Sequence, residues 1–223
     1  ELRFKLELVG VDINPQALKS ARKNLRGKRI TLRQADLMKK LPFGPASFDK
    51  VIMSEVAEHL SNDVKGLKEV KRVLRKNGIL VLTVPNHNYP LFWDPVNFFL
   101  EHLLNTHIKE GFWSGLWNQH LRLYKPEEIR KSVLKAGFRI EKLESLTWFC
   151  LPFNHNLMHF AAVKLYSGSL TPDMAKAVSK YEKVSKKPLL IEFAFKFVNA
   201  VDRLNDYFQP KNSGVGVLVK AFK

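Results

Sequence analysis

The sequence predicts an α/β protein with a doubly wound, mostly parallel β-sheet and helical insertions. Two observations carry this prediction. Short apolar runs of strand length alternate along the chain with amphipathic patterns of helical period. Proline also stands at the first position of several predicted helices, and glycine stands just after the last. Strands that alternate with helices in this way form parallel sheets with helices on both faces.

The first predicted strand alternates apolar and charged residues and runs up to Val11. Asn14 is the predicted cap of the helix that follows, and Pro15 takes its first position. The stretch RITLRQADL is the second strand, which ends at Asp36. Each of these strands therefore delivers an acidic residue at or near its carboxyl end.

Four strands and two helices follow. FDKVIMSEV and ILVLTVPN are the third and fourth strands, and the helix between them spans Val64 to Leu74, with Asn77-Gly78 as its stop. KPEEIRKSVLKAGF predicts a helix, and FRIEKLESLTWF and GVGVLVKAF predict two further strands.

Two stretches depart from the alternation. Residues 86–123 are rich in aromatic side chains, and residues 151–213 hold two helical patterns. Each stretch leaves the carboxyl end of a strand, where ligands bind in open α/β sheets. Each stretch therefore either forms a wall or lid over a ligand or extends the core. We expect one domain over residues 1–223, with an aromatic lid at 86–123 and a helical insertion at 151–213.

The chain is strongly basic, with 37 Lys+Arg against 21 Asp+Glu and a formal net charge of +16. This excess favours anionic partners, and we expect weak contact with an anionic membrane surface or RNA. The one cysteine, Cys150, excludes an intramolecular disulfide and favours a reducing compartment. We therefore expect a cytoplasmic protein, with peripheral membrane contact as a second option. No segment reaches the roughly 20 apolar residues of a membrane-spanning helix.

Asp12 and Asp36 end successive predicted strands. A carboxylate in such a position accepts hydrogen bonds from the vicinal hydroxyls of a ribose. A second one can accept from an adenine amino group, with Leu37 against the ring. Either acid alone also fits a helix cap, but the pair indicates an adenosine-containing ligand.

Several stretches resemble consecutive motifs of the class I S-adenosylmethionine-dependent methyltransferases, in their type 11 and ubiquinone-biosynthesis-like branch. These stretches are LVGVDINPQALKSARKNL, ADLMKKLPFGPASFDKVIMSEVAEHL and LKEVKRVLRKNGILVLTVPN. LRLYKPEEIRKSVLKAGF resembles the segment after that family's fifth strand. The resemblance covers roughly residues 6 to 85 and 120 to 145.

The resemblance implies S-adenosylmethionine as cofactor and a Rossmann-like, seven-stranded sheet whose last strand, Val215 to Phe222, runs antiparallel. It implies Asp12 at the ribose, Asp36 at the adenine, and Ser54 beside the methionine end. The full set of expected cofactor-binding residues is Asp12, Ile13, Asp36, Leu37, Ser54 and Glu55.

The family's first strand and its glycine-rich loop would precede Leu6, where only five residues stand. In the family's strand order that strand is central, between the strands ending at Asp12 and near Ser54. Its loss leaves a gap in the sheet and unpaired backbone groups. Either residues 1–223 are a portion of a longer protein, which we favour, or another segment fills the gap.

The stretch SEVAEHL follows the third strand and offers acid–base groups. Glu55, Glu58 and His59 are spaced to lie on one face of a helical turn. His59 is our candidate general base for a hydroxyl acceptor. Some methyltransferases bind a divalent cation with this Glu-x-x-Glu-His arrangement, but we assign no metal. His120 is a candidate substrate contact or further ligand, and Trp93 of the aromatic lid is a second candidate substrate contact.

These expectations combine into one function, the methylation of a small or lipid-like acceptor, with O-methylation favoured. The alternative is a non-catalytic, methyltransferase-like RNA-binding or scaffold protein. Basic charge with interspersed aromatic residues would serve that role as well.

Overall fold

The computed structural model describes residues 6–149, 189–208 and 210–223. Much of the expected insertion at 151–213 therefore lies outside the described residues. The strands are β1 (Leu8–Asp12), β2 (Ile30–Gln34), β3 (Phe48–Ser54), β4 (Leu74–Pro85), β5 (Arg139–Leu146) and β6 (Gly216–Phe222). The α-helices are α1 (Pro15–Asn24), α2 (Asp63–Val73), α3 (Pro95–Leu104), α4 (Pro126–Lys135) and α5 (Leu189–Asp202). Short 3₁₀ helices span Ala57–His59, Phe112–Trp117 and Arg203–Asp206.

The main sheet has the strand order β3-β4-β6-β5. β3 and β4 are parallel, whereas β6 lies between β4 and β5 and is antiparallel to both. The predicted antiparallel last strand is thus confirmed, and so is the α/β fold class, with β3, β4 and β5 running in one direction in the main sheet and β6 in the other.

β1 and β2 form a separate parallel pair, with Asp12 opposite Gln34. Among the described residues, no strand pairs with β1 on its other side or with β3 on the side away from β4. The sheet is therefore divided where the gap was expected. On one face of β3, the side chain of Ile52 is 80% exposed.

Helices α2 and α4 pack together against the main sheet and enclose its core. The strands supply the sheet side of this core, because their apolar residues alternate and every second side chain points to the same face. Members that are completely buried are Leu67, Leu74, Leu80, Leu82, Val84, Ile129, Val133, Val217, Val219 and Ala221.

The start of β4 differs from the prediction. We expected a helix through Leu74 and a strand from Ile79, but α2 ends at Val73 and β4 begins at Leu74. The backbone of Leu74 is already extended and pairs with Phe48, and Asn77 adopts a left-handed conformation inside the strand. The Asn-Gly pair thus marks an irregularity in β4 instead of a helix stop.

The aromatic stretch 86–123 forms helix α3, the 3₁₀ helix Phe112–Trp117 and a second apolar cluster. The buried residues of this cluster are Tyr89, Trp93, Leu116, Trp117 and Leu123. These buried side chains extend the apolar interior, and the expected aromatic lid over a ligand stays a prediction. No helix in the described part of the chain has the length and apolar character needed to cross a membrane.

Substitutions of two neighbouring residues of β3, Ile52 and Met53, test whether the face that carries Ile52 is open to solvent in the 223-residue chain. Ile52→Lys should change the free energy of unfolding by no more than about 0.5 kcal/mol, because the side chain is already in water. Met53→Lys should cost roughly 3–5 kcal/mol, because Met53 is only 4% exposed and a lysine there would bury a charge. Urea denaturation measures both values. A large decrease in the free energy of unfolding for Ile52→Lys would show that another segment covers this face.

Candidate functional site

Asp12 stands at the carboxyl end of β1, and one of its oxygens shapes the turn that follows. Its Oδ1 accepts a hydrogen bond from the backbone N–H of Asn14 at 2.7 Å. Asn14 is the cap of α1, as predicted, because its Oδ1 accepts from the N–H groups of Gln16 and Ala17. Asp12 is therefore not the helix cap, and its Oδ2 forms no hydrogen bond with a described residue.

Asp36 follows β2 and lies at the same edge of the small sheet. The N–H of Ala35 donates to the carbonyl oxygen of Asp12 at 3.1 Å, which ties the two strand ends together. Asp36 accepts from the N–H of Met38 through Oδ1 at 2.8 Å, and its Oδ2 has no described partner. The next residue, Leu37, packs against the main core. The exposed Ile13 completes this group, and its carbonyl accepts from the Gln34 side chain at 3.0 Å.

Ser54 ends β3 beside Thr83 of β4, and their hydroxyl oxygens lie 2.9 Å apart. The next residue, Glu55, adopts a left-handed conformation with φ of 52° while its N–H donates to the Thr83 carbonyl. The chain therefore turns sharply before the 3₁₀ helix Ala57–His59 begins.

This turn corrects the expected arrangement of SEVAEHL. Glu55, Glu58 and His59 do not share one face of a helical turn, because the left-handed Glu55 breaks the helical path and only Ala57–His59 are helical. Glu58 points into the protein and is completely buried, whereas the His59 side chain is 43% exposed.

A different set of side chains comes together instead. Ligand-type atoms of Glu58, His59 and His120 all lie within 4.8 Å of one another. The two imidazole rings have centroids 5.0 Å apart, and His59 Nε2 lies 3.6 Å from Glu58 Oε1. That separation is too long for a hydrogen bond, and neither carboxylate oxygen of Glu58 has a hydrogen-bond partner among the described residues.

Backbone carbonyls orient both histidines in the same way. His59 Nδ1 lies 3.1 Å from the carbonyl oxygen of Gln119, and His120 Nδ1 lies 2.6 Å from that of Leu116. These contacts are hydrogen bonds when each Nδ1 carries the proton, which leaves the lone pair on each Nε2. Both Nε2 atoms are then acceptors, either of a proton or of a cation.

Burial sets the charge state of the cluster. It raises the pKa of Glu58 to about 8, and the nearby Glu55 carboxylate adds to that increase. Burial also lowers the pKa of His120, with the neighbouring His59 acting in the same direction. Near pH 7 the cluster therefore favours a protonated Glu58 and a neutral His120.

Trp93, a predicted substrate contact, is mostly buried in the second apolar cluster, and its indole N–H donates to the carbonyl oxygen of Trp148 at 3.0 Å. The structure groups the other predicted residues at two places, the β1–β2 edge and the end of β3. Sequence reasoning did not identify Asp63 and Tyr124, which lie under the Glu58–His59–His120 cluster. A tyrosine in LRLY carries no chemical signal until the fold shows its partners.

Comparisons with known proteins show which proteins the chain is similar to. Residues 2–82 match the family described as a methyltransferase domain. A 2-methyl-6-phytyl-1,4-hydroquinone methyltransferase of Oryza sativa subsp. japonica is 27% identical over 190 residues, which are 84% of this chain and 49% of that protein. A ubiquinone/menaquinone biosynthesis C-methyltransferase of Citrifermentans bemidjiense is 30% identical over 99 residues, which are 42% of each chain.

Among solved structures, an S-adenosylmethionine-dependent methyltransferase from Mesorhizobium loti has a TM-score of 0.51 at 15% identity, covering 97% of this chain and 80% of that one. This likeness shows the Rossmann-like methyltransferase fold. The chain spans about half the length of the curated relatives it matches. Residues 2–82 thus match a methyltransferase domain, and the chain as a whole is similar to the class I S-adenosylmethionine-dependent methyltransferases, with relatives in the branch that includes the ubiquinone-biosynthesis enzymes.

Proposed function

We propose that the protein transfers a methyl group from S-adenosylmethionine to a hydroxyl of a small or lipid-like acceptor. One observation carries this proposal. Two carboxylates at strand ends, Asp12 and Asp36, each have one oxygen without a hydrogen bond to a described residue, and an acid–base cluster follows β3. The names of the relatives suggest a quinone-like acceptor, and one of them names C-methylation. The histidine pair supports O-methylation, because a hydroxyl acceptor must lose a proton.

The described residues fit the adenosine half of the cofactor. Asp12 Oδ2 can accept from ribose hydroxyls, and Asp36 Oδ2 from the adenine amino group, since their Oδ1 atoms are already used by backbone N–H groups. Ile13 and Leu37 flank these acids, and Ser54 and Glu55 suit the methionine end. When bound, the cofactor supplies a methyl group that its sulfonium has already activated. The protein's own residues then bind the acceptor, orient it and take up its proton.

Cofactor binding is the first test. Calorimetry on the full natural protein should give a micromolar dissociation constant, which corresponds to a binding free energy of roughly −8 kcal/mol. Asp12→Ala and Asp36→Ala should each remove about 1.5–3 kcal/mol, as for a lost charged hydrogen bond. Asp49→Ala is the matched control, since Asp49 is an exposed acid of β3 that pairs with Arg75 away from this edge. Unchanged affinity in both test variants would overturn the assignment.

The acceptor proton has two possible routes through the same cluster. In one, His59 Nε2 takes the proton directly. In the other, Glu58, His59 and His120 hold a divalent cation, which would polarise the acceptor oxygen and favour loss of its proton. The cluster fits a cation in two respects. The Glu58 carboxyl group is buried without a hydrogen-bond partner among the described residues, and both histidines have Nδ1 fixed on a carbonyl, as is usual for metal-binding imidazoles. Two imidazoles and a carboxylate suit a borderline cation such as Zn²⁺.

His59→Ala should lower turnover by about 10²–10⁴-fold on either route, with little effect on cofactor affinity. His102→Ala is the control, because His102 is an exposed histidine of α3 bound to the Phe98 carbonyl. Steady-state kinetics with and without a chelator separate the routes, since only the cation route loses activity on chelation and regains it with added Zn²⁺. Near-normal turnover of His59→Ala would exclude both.

The pH dependence of stability tests the state of Glu58. Its pKa of about 8 in the folded protein exceeds the ordinary value of 4.5, so between these values the folded state holds a proton that the unfolded state releases. The stability that this proton contributes is present below about pH 4.5 and is lost as the pH rises through 8.

In chelator, the free energy of unfolding should therefore fall with rising pH in this window more steeply than for Glu58→Gln. The difference should reach at most about 1.4 kcal/mol per pH unit, the value for one proton. Urea denaturation at a series of pH values measures it. Parallel curves for the two proteins would mean that Glu58 ionises normally in the folded state.

The second candidate function, a non-catalytic RNA-binding or scaffold protein, has one supporting feature. A surface cleft of about 410 Å³ is lined by the side chains of Lys39, Lys40, Lys65 and Lys68, and none of these lysines forms a salt bridge with a described residue. Glu69, the acid in the cleft, is already held by Arg72. Such a surface suits weak, salt-sensitive contact with RNA or anionic lipid. An intact protein without cofactor affinity would favour this candidate.

A further inference from the structure

A short segment crosses the 3₁₀ helix at the end of β3 and bonds to each of four consecutive residues. We call residues 119–124 the strap and residues 57–60 the turn. The Gln119 carbonyl accepts from His59 Nδ1 at 3.1 Å, and the Leu121 N–H donates to the Glu58 carbonyl at 3.2 Å. Arg122 Nη2 donates to the Leu60 carbonyl at 2.8 Å, and the Tyr124 hydroxyl donates to the Ala57 carbonyl at 3.2 Å.

The hydrogen bonds of the turn itself do not fix its orientation relative to the sheet. It has three helical residues, and its internal bonds are His59 N–H to the Val56 carbonyl and Leu60 N–H to the Ala57 carbonyl. The chain enters it through the left-handed Glu55. A 3₁₀ helix this short has weak bond geometry and leaves its carbonyls free for other donors. The direction of the His59 side chain therefore depends on the strap.

Tyr124 is the anchor of the strap. Its backbone bonds to the end of β4 on both sides, through the Pro85 carbonyl at 3.0 Å and the His87 N–H at 2.9 Å. Its buried hydroxyl shares its one proton in a three-centre hydrogen bond between Asp63 Oδ2, 3.0 Å away at the start of α2, and the Ala57 carbonyl oxygen, 3.2 Å away. Burial and the Asp63 carboxylate raise the pKa of Tyr124, so its hydroxyl stays protonated and remains a donor.

Asp63 offers a matched comparison between two hydroxyls. The same Oδ2 accepts from Ser132 of α4 at 2.7 Å. Ser132 therefore shares the carboxylate with Tyr124, but its hydroxyl donates to Asp63 and not to a carbonyl of the turn. Loss of either hydroxyl removes one hydrogen bond to Asp63, whereas only the loss from Tyr124 releases the Ala57 carbonyl.

We propose that Tyr124 is a positioning residue for methyl transfer, whose hydroxyl, held by Asp63, fixes the turn so that His59 keeps Nδ1 on the Gln119 carbonyl and presents Nε2 to the acceptor. The proposal rests on the proposed function for its kinetic consequence. Its structural consequence, the tautomer and orientation of His59, is independent of any activity.

The experiment compares Tyr124→Phe with Ser132→Ala. Both variants should lower the melting temperature by a similar, small amount. In Tyr124→Phe, nitrogen-15 NMR of the His59 ring should show a mixture of Nδ1- and Nε2-protonated forms, whereas Ser132→Ala should keep the Nδ1-protonated form of the wild type. In the active protein, Tyr124→Phe should lower kcat by about 10- to 100-fold with cofactor affinity unchanged, as expected for a displaced catalytic group, and Ser132→Ala should not.

The proposal is overturned if the His59 ring of Tyr124→Phe matches that of the wild type. It is also overturned if kcat falls equally in both variants, since that would indicate a general structural effect. If the wild type transfers no methyl group, the NMR comparison still decides the positioning role. If Tyr124→Phe does not fold, proton NMR of the wild type examines the Tyr124 hydroxyl itself: a slowly exchanging hydroxyl proton close to Ala57 is expected, and a freely exchanging one overturns the proposal.

Discussion

The insertion of β6 between β4 and β5 is the constraint on which the rest of the structure depends. β6 forms antiparallel ladders with both neighbours, and its buried side chains Val217, Val219 and Ala221 lie in the centre of the main core. β5 reaches the sheet only through β6. Helix α4 packs on β5 and contacts β6, so the segment that carries His120 and Tyr124 is held at one end by this strand. The cluster at the end of β3 therefore depends on a pairing remote from it in sequence.

The sequence predicted the elements whose signals are local. Periodicity and caps were sufficient for β1, α1 and α4, and the end of β1 at Asp12 followed from its alternation. The proximity of Asp12 and Asp36 was also predictable, because parallel neighbouring strands end at the same edge. No Gly-x-Gly precedes Leu6 in the sequence, and the division of the sheet between β1 and β3 agrees with that.

Other features could not be read from local patterns. The left-handed Glu55 is one, since glutamate has no intrinsic preference for that conformation and the bond to the Thr83 carbonyl holds it there. The approach of His120 to His59 is another, because it depends on the strap. The roles assigned to the cofactor-binding and substrate residues, with Trp93 among them, stay predictions. The fold fixes where these side chains stand, while the reaction depends on ligands that bind between them.

The Glu58 carboxyl group is buried without a hydrogen bond to any described residue, which would link the folding of the protein to the cation proposed to bind there. A buried acid of this kind lowers the stability of the empty state, and any ligand that satisfies it returns that free energy to the folded form. Cellular proteases remove proteins according to the fraction that is open or unfolded. The steady-state amount of the protein in a cell would then follow the supply of that ligand, without any change in its synthesis. The cellular amount of the protein would then report the fraction of molecules that have this ligand bound at Glu58.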